Sequence, residues 1–175
     1  MFLNPQSIVD QLGIIPGMQV ADIGAGSGAY SMVLAKAVGD SGRVFAVDVQ
    51  ENLLTRLKSL AAEGHLNNLE IIWGDAEKIG GTKLKDDSLD AAVVSNVLFQ
   101  AENKAGLVSE VKRILKKGGR AFVIDWSESF GNLGPTANMV VPPASAKEIF
   151  KKSGFEIVAN FLAGAHHYGF TARKL

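Results

Sequence analysis

The chain has 175 residues, 47% of them hydrophobic, and its 18 basic and 18 acidic side chains cancel to a formal charge of zero. That is enough apolar material for one domain with a sizeable core, and the charge balance excludes a global positive field that would favour nucleic acid or an anionic membrane. The absence of cysteine excludes disulfides, thiolate metal ligands and cysteine nucleophiles, and MFLNPQSIVDQLG has no basic stretch followed by an apolar core; the expectation is one soluble, cytoplasmic domain over residues 1–175 with no signal peptide or membrane span.

Asn4 precedes Pro5, and Ile8, Val9 and Leu12 share one helical face, so a short lead-in helix is expected to end at Gly13. The stretch VADIGAGSGAYSMVLAKAVG, residues 20–39, reads as strand, glycine-rich turn and helix. Gly24, Gly26 and Gly28 let the backbone turn sharply, and Tyr30, Val33, Leu34 and Ala37 recur at helical spacing. Main chain left bare at that turn, with the first N–H groups of the helix unpaired within it, would offer donors and a partial positive charge to a bound polar group. RVFAVD is a second strand ending at Asp48. ENLLTRLKSLAAEG carries Leu53, Leu57, Leu60 and Ala61 on a helical stripe and stops at Gly64, and LEIIWGD is a third strand.

GDAEKIGGTKLKDDS is polar loop and LDAAVVSN a fourth strand. Leu107, Val111, Ile114 and Leu115 mark a helix ending in the Gly118-Gly119 turn, before RAFVIDW as a fifth strand. Residues 127 to 143, with three prolines and two glycines, form the longest loop; the apolar NMVVPP suits it to a mobile lid over an acceptor pocket. Ser145 and Glu148 have capping-box spacing for a helix reaching Lys152. FEIVANFLAG and HHYGFTARK then read as two antiparallel strands joined by a short turn.

Strands alternating with helices imply a doubly wound α/β domain with helices on both faces of a parallel sheet, in which ligands bind beyond the carboxyl ends of the strands. The polar residues collect there: Asp22 to Gly28 after strand one, Asp48 at the end of strand two, Asp75 after strand three, Ser95 and Asn96 ending strand four, Asp125 and Trp126 ending strand five. A carboxylate about twenty residues past a glycine turn can accept both hydroxyls of an adenosine ribose, and Asp75 could accept from an adenine amino group.

The order DIGAGSG, VFAVDV, GDAEKI, LDAAVVSNVLFQ and VKRILKKGGRAFVIDW strongly resembles the class I S-adenosylmethionine-dependent methyltransferases over nearly the whole chain, and looks most like the small-molecule type that includes quinone-biosynthesis and arsenite methyltransferases. The resemblance implies a single seven-stranded Rossmann-like sheet of order 3-2-1-4-5-7-6 with strand seven antiparallel, S-adenosyl-L-methionine as methyl donor, and a small-molecule acceptor. Carried over by motif position, Gly24, Ala25, Gly26, Ser27 and Gly28 form the nucleotide turn and Asp22 orients the methionine end. Asp48 with Val49 holds the ribose, Gly74, Asp75 and Ala76 frame the adenine, and Ser95 and Asn96 line the methionine side. SNVLFQ departs from the Asn-Pro-Pro-Tyr pattern of methyltransferases acting on bases or glutamine, and the lack of cysteine argues against thiol-based arsenite methylation.

GAGSGA also satisfies G-x-G-x-x-G/A, so an NAD(P)-binding oxidoreductase is the rival reading, and a non-catalytic S-adenosylmethionine-binding subunit is a third. Asp22 directly before the glycines, the second acid at Asp75 and the terminal hairpin favour the methyltransferase. Methyl transfer is an in-line displacement governed by positioning, and a proton acceptor helps only when the nucleophile is a hydroxyl or ammonium. The candidates beside the acceptor are His166, His167 and Tyr168 in the last turn, with strand alternation allowing at most one of the two histidines to face the site, and Asp125 as the next choice. His65 reads as a surface residue, and no residue spacing suggests a metal site.

Overall fold

A computed structural model describes residues 3–131 and 133–175. Helices α1 (Pro5–Val9), α2 (Ala29–Val38), α3 (Glu51–Glu63), α4 (Lys104–Ile114) and α5 (Pro143–Lys152) are interleaved with strands β1 (Gln19–Ile23), β2 (Arg43–Asp48), β3 (Leu69–Trp73), β4 (Leu89–Ser95), β5 (Leu115–Trp126), β6 (Phe155–Leu162) and β7 (His167–Lys174). The strands form one sheet of order β3-β2-β1-β4-β5-β7-β6. β1 to β5 run parallel, and β7 lies antiparallel between β5 and β6, as expected.

Both faces of the central strands are covered, which is why β1, β4 and β5 read as nearly continuous apolar runs. Alternation sends Val20, Val93, Phe122 and Ile124 to one face, where Ile8 and Leu12 of the α1 segment and Tyr30, Leu34 and Val38 of α2 close over them. It sends Ala21, Ile23, Val94, Val123 and Phe170 to the other, against Leu107, Val111 and Ile114 of α4 and Phe150 of α5. Leu57 of α3 packs with Ala46 and Ala25. The crossover from β1 through β4 leaves the carboxyl ends of β1, β2, β3 and β4 on one edge, and that edge carries the site.

Three local features differ from the sequence reading. Ser145 and Glu148 do not form a capping box: α5 begins at Pro143, whose missing N–H costs nothing at a first helical position, with Pro142 as N-cap and its carbonyl accepting from Ala146 N at 3.0 Å. Leu115 is not the end of α4 but the start of β5, extended and fully buried opposite Leu89; the intervening KKGG segment is absorbed as an irregularity between the Leu89 and Ala91 pairings. On α3 Leu57 and Ala61 are buried as expected, but Leu54 joins them in place of Leu53, and Leu53 and Leu60 are only partly buried.

Gly28 is the N-cap of α2 at φ 87°, and a Cβ there would stand 2.1 Å from Leu57 Cδ1. Gly28→Ala is expected to lower the unfolding free energy by about 1–3 kcal/mol, and by less in a Leu57→Ala background, where the clash is relieved and the backbone strain stays. Denaturant titration of wild type, both single variants and the double variant measures the difference.

Candidate functional site

A cavity of about 230 Å3 opens at the carboxyl edge. β1 delivers Gly24 to it, β2 delivers Asp48 and Val49, β3 delivers Gly74, Asp75 and Ala76, and Val97 and Gln100 close it from the segment after β4. Its described lining holds three carboxylates, Asp48, Asp75 and Glu77, and no lysine, arginine or histidine. Ala25, Gly26, Ser27 and Gly28 shape the turn without lining this cavity, and Ala25 packs inward against Leu57.

The glycine turn is held by the protein's own acceptors. Gly24, Gly26 and Gly28 have φ of 69°, 54° and 87°. Gly24 N and Ala25 N both donate to Val47 O, at 2.9 and 3.0 Å, and Gly28 N donates to Ala25 O. Asp48, 8% exposed, accepts from Gly26 N at 2.8 Å through Oδ2 and from Gln50 N at 2.9 Å through Oδ1. The expectation that the turn's main chain is left bare is corrected for the amides of Gly24, Ala25, Gly26 and Gly28, which acceptors within the protein satisfy, because a buried N–H without a partner is costly. Each Asp48 oxygen keeps a second lone pair for a hydroxyl. Asp75 accepts from Glu77 N at 3.0 Å and pairs with Lys78 Nζ at 2.8 Å, and Lys78 first, then the Glu77 N–H, holds its carboxyl below the usual range.

Asp22 is 2% exposed and accepts from Ser31 Oγ at 2.5 Å. Burial pushes its pKa up to about 6, against the opposing bonds from Ser31, and the charge of Asp48 adds to the rise. Tyr30, on the first turn of α2, is pushed up to about 12, by burial first, with the charge of Asp22 adding to the rise. Tyr30 OH, Ser95 Oγ, Asn96 Oδ1, His167 Nε2 and Tyr168 OH are shielded atoms with no hydrogen-bond partner among the described residues. Unpartnered buried polar atoms are uncommon, and these lie on the first turn of α2, at the end of β4 and at the start of β7, with Tyr168 on the sheet face opposite to that of His167. Asn96 also holds a left-handed backbone at φ 57°, a strain typical of functional positions.

The last turn divides as alternation requires. Asp125 pairs with Tyr168 across β5 and β7, and Trp126 with His167. His166 Nδ1 meets Glu128 Oε1 at 2.7 Å, and its ring stacks on Phe130 at 3.8 Å between centroids. The His167 ring packs against Trp126 at 4.2 Å, and burial first, then His166, lowers its pKa. Burial, then the Asp125 charge, raises the pKa of Tyr168. Asp125 is 1% exposed and accepts main-chain N–H groups from Leu98 and Phe99 on Oδ2 and from Trp126 on Oδ1, with its pKa pushed by burial up to about 6. His65 is exposed, and no group of three potential metal ligands occurs among the described residues. Sequence reasoning missed Glu77, Gln50, Gln100 and the Tyr30 hydroxyl. No periodicity flags the first three, and Tyr30 was absorbed into the apolar stripe of its helix.

Asp22 provides a pH test. Its folded pKa lies above the unfolded value of 3.8, so between 3.8 and about 6 the folded chain binds more protons, and this group's contribution turns less favourable as pH rises through that window. Asp22→Asn is expected to be more stable than wild type above about pH 7 by on the order of 1–3 kcal/mol, with the gain fading towards about pH 4. Thermal unfolding across that range checks the sign.

A model of the methyltransferase domain family matches residues 14–165. The ubiquinone/menaquinone biosynthesis C-methyltransferase UbiE of Hydrogenovibrio crunogenus is 31% identical over 121 residues, which are 69% of this chain and 46% of that protein. The UbiE of Vibrio campbellii is 29% identical over 153 residues, 87% of this chain and 56% of that protein. The chain thus spans about half the length of these curated relatives. Among solved structures, a SAM dependent methyltransferase from Aquifex aeolicus superposes with a TM-score of 0.90 at 25% identity, covering 99% of this chain and 91% of that one. With the family model spanning the glycine turn, the acidic cavity and the first five strands, and with nearly the whole seven-stranded fold superposing on that structure, the chain belongs to the methyltransferase domain family, of the class I S-adenosylmethionine-dependent type.

Proposed function

We propose that this chain is a cytoplasmic, single-domain enzyme that transfers the methyl group of S-adenosylmethionine to a small-molecule acceptor. The observation that carries the reading is the cavity at the glycine turn, with three carboxylates and no basic side chain in its described lining. A sulfonium amino acid joined to adenosine is cationic and needs hydroxyl and amine acceptors, which carboxylates supply. A dinucleotide would instead bring its pyrophosphate to the turn, where the Gly26 N–H is already taken by Asp48. This disfavours an NAD(P)-dependent oxidoreductase. The small-molecule acceptor is supported by the relatives named for ubiquinone and menaquinone biosynthesis.

When bound, S-adenosylmethionine supplies an electrophilic methyl group on a sulfonium. Asp48 would hold the ribose hydroxyls and Asp75 the adenine amino group. Asp22 would face the methionine end with Tyr30, Ser95 and Asn96, whose unpartnered atoms fit its ammonium and carboxylate. His167 is the better base of the two histidines: burial keeps its imidazole neutral, its Nε2 has no partner among the described residues, and it shares a sheet face with Asp22 through the β1–β4–β5–β7 register. Tyr168 would orient the acceptor. Asp125, committed to three main-chain donors, would shape the segment after β4 rather than carry protons.

Asp48→Ala leaves two ribose hydroxyls without acceptors and is expected to weaken S-adenosylhomocysteine binding by about 1–3 kcal/mol in a folded protein. Calorimetry that finds unchanged affinity removes the adenosine anchor. With an acceptor identified and cofactor saturating, His167→Ala is expected to lose roughly 10²-fold in turnover, and wild-type turnover to fall as acidification protonates His167, below its ordinary pKa of 6.5. His166→Ala should keep that pH profile; the reverse pattern assigns the base to His166.

A further inference from the structure

The wall of the cavity that carries Asp75 belongs to a loop, residues 74–88, that runs from β3 to β4 with few apolar side chains to hold it. Its anchor lies outside the cavity. Glu110 of α4 is completely buried, and its carboxylate accepts the N–H of Gly80 at 2.8 Å, the N–H of Thr82 at 3.2 Å and the hydroxyl of Thr82 at 2.6 Å. Arg113 completes the set, with Nε and Nη2 each 2.7 Å from Glu110, and also pairs with Asp86. Such a carboxylate stays ionised: although burial opposes it, Arg113, Thr82 and the two amides bring its pKa down to about 2.

The two amides that Glu110 holds flank Gly81, and the carbonyl of Gly81 accepts the N–H of Asp75 at 3.1 Å. The contact between these strands of the loop is so close that a Cβ on Gly81 would lie 2.0 Å from Asp75 O. A second tie runs beside it, since Glu77 accepts from the main-chain N–H of Asn103, the N-cap of α4. A displacement of Gly80–Thr82 therefore passes directly to Asp75 through one hydrogen bond and a packed main chain.

Resting on the cofactor reading above, we infer that Glu110 is a positioning residue for base recognition: by holding Gly80 and Thr82 it fixes the Gly81 carbonyl, and through it the Asp75 carboxylate that selects a purine amino group. Glu110 touches no ligand. Its loss blurs the choice of base more than it weakens grip on the rest of the nucleoside, because Asp48 is held separately by Gly26 and Gln50.

The test compares S-adenosylhomocysteine with S-inosylhomocysteine, whose base has a carbonyl oxygen where adenine has its amino group, by calorimetry on wild type, Glu110→Gln and Thr82→Val, with amide hydrogen exchange on the free proteins. Wild type is expected to prefer the adenine ligand by about ten-fold or more, and Glu110→Gln by less than about three-fold. Exchange at residues 75–78 should rise in Glu110→Gln while β1 and β2 keep wild-type protection. Thr82→Val, which removes one donor and keeps the shape, should move both readouts part of the way, and it decides the matter if Glu110→Gln does not fold. A folded variant with wild-type base preference and wild-type exchange at 75–78 overturns the inference. A wild-type protein that binds neither ligand overturns the cofactor reading instead, and the exchange comparison then still shows whether Glu110 fixes Asp75.

Discussion

The hydrogen bond from Gly26 N to the Asp48 carboxylate joins the glycine turn to the end of β2, and the arrangement of the site depends on it. A turn with three left-handed glycines in five residues has a large conformational entropy to lose. It stays in one shape because Val47 O and Asp48 take up its amides before any ligand arrives. The same device recurs along the edge: Asp125 gathers the amides of Leu98, Phe99 and Trp126, and Glu110 those of Gly80 and Thr82. Loops that cross the carboxyl edge are thus pinned by buried or nearly buried carboxylates as well as by apolar side chains such as Leu98 and Ala25. The edge is both ordered and electronegative, which suits a cation and disfavours a phosphate.

These acids differ in what stands beside them. Asp22 and Asp125 have hydrogen-bond donors but no adjacent guanidinium, so burial dominates and both rise to about 6; Glu110 has Arg113 within 2.7 Å and falls to about 2. The consequences for stability have opposite signs. Glu110 contributes stability that is complete above its unfolded value of 4.5 and is lost as pH falls towards 2, whereas Asp22 and Asp125 weigh against the folded state increasingly as pH rises from 3.8 and fully above about 6. Keeping a destabilising charge buried beside unpartnered hydroxyls is expected where a ligand's positive group completes the network.

The order of elements was legible because each buried strand is bounded by turn residues and each helix carries a 3.6-residue stripe; VADI, RVFAVD and LDAAVVSN end within a residue or two of β1, β2 and β4. The antiparallel hairpin was legible from the short break between FEIVANFLAG and HHYGFTARK. Misreadings arose where local chemistry offered two solutions. Ser145 and Glu148 have the spacing of a cap, but Pro142-Pro143 supplies a start three residues earlier, and Leu115 fits the stripe of α4 as well as a pair with Leu89. The Asp48 and Asp75 positions could be read from motif spacing. Glu77, Gln50 and Gln100 could not, because they reach the cavity through loop conformations that leave no period in the sequence.

On the acceptor side, the sheet's two-residue alternation assigns different work to adjacent histidines. Ser127 N donates to His166 O at 2.9 Å, Glu128 meets the His166 ring, and Phe130 stacks on it. Three successive features of the segment after β5 thus converge on one residue of the β6–β7 turn, so the segment's first residues are fastened to the edge where β5 ends and β7 begins. A ring clasped in this way fastens the segment after β5 to the β6–β7 turn. The next residue, rotated to the opposite face by the pleat, has its ring against Trp126 and its Nε2 shielded from bulk water. Sequestered and braced by an aromatic face, with burial lowering its pKa, His167 meets the requirements of the proposed proton acceptor, and the clasp at His166 holds the adjoining chain in place.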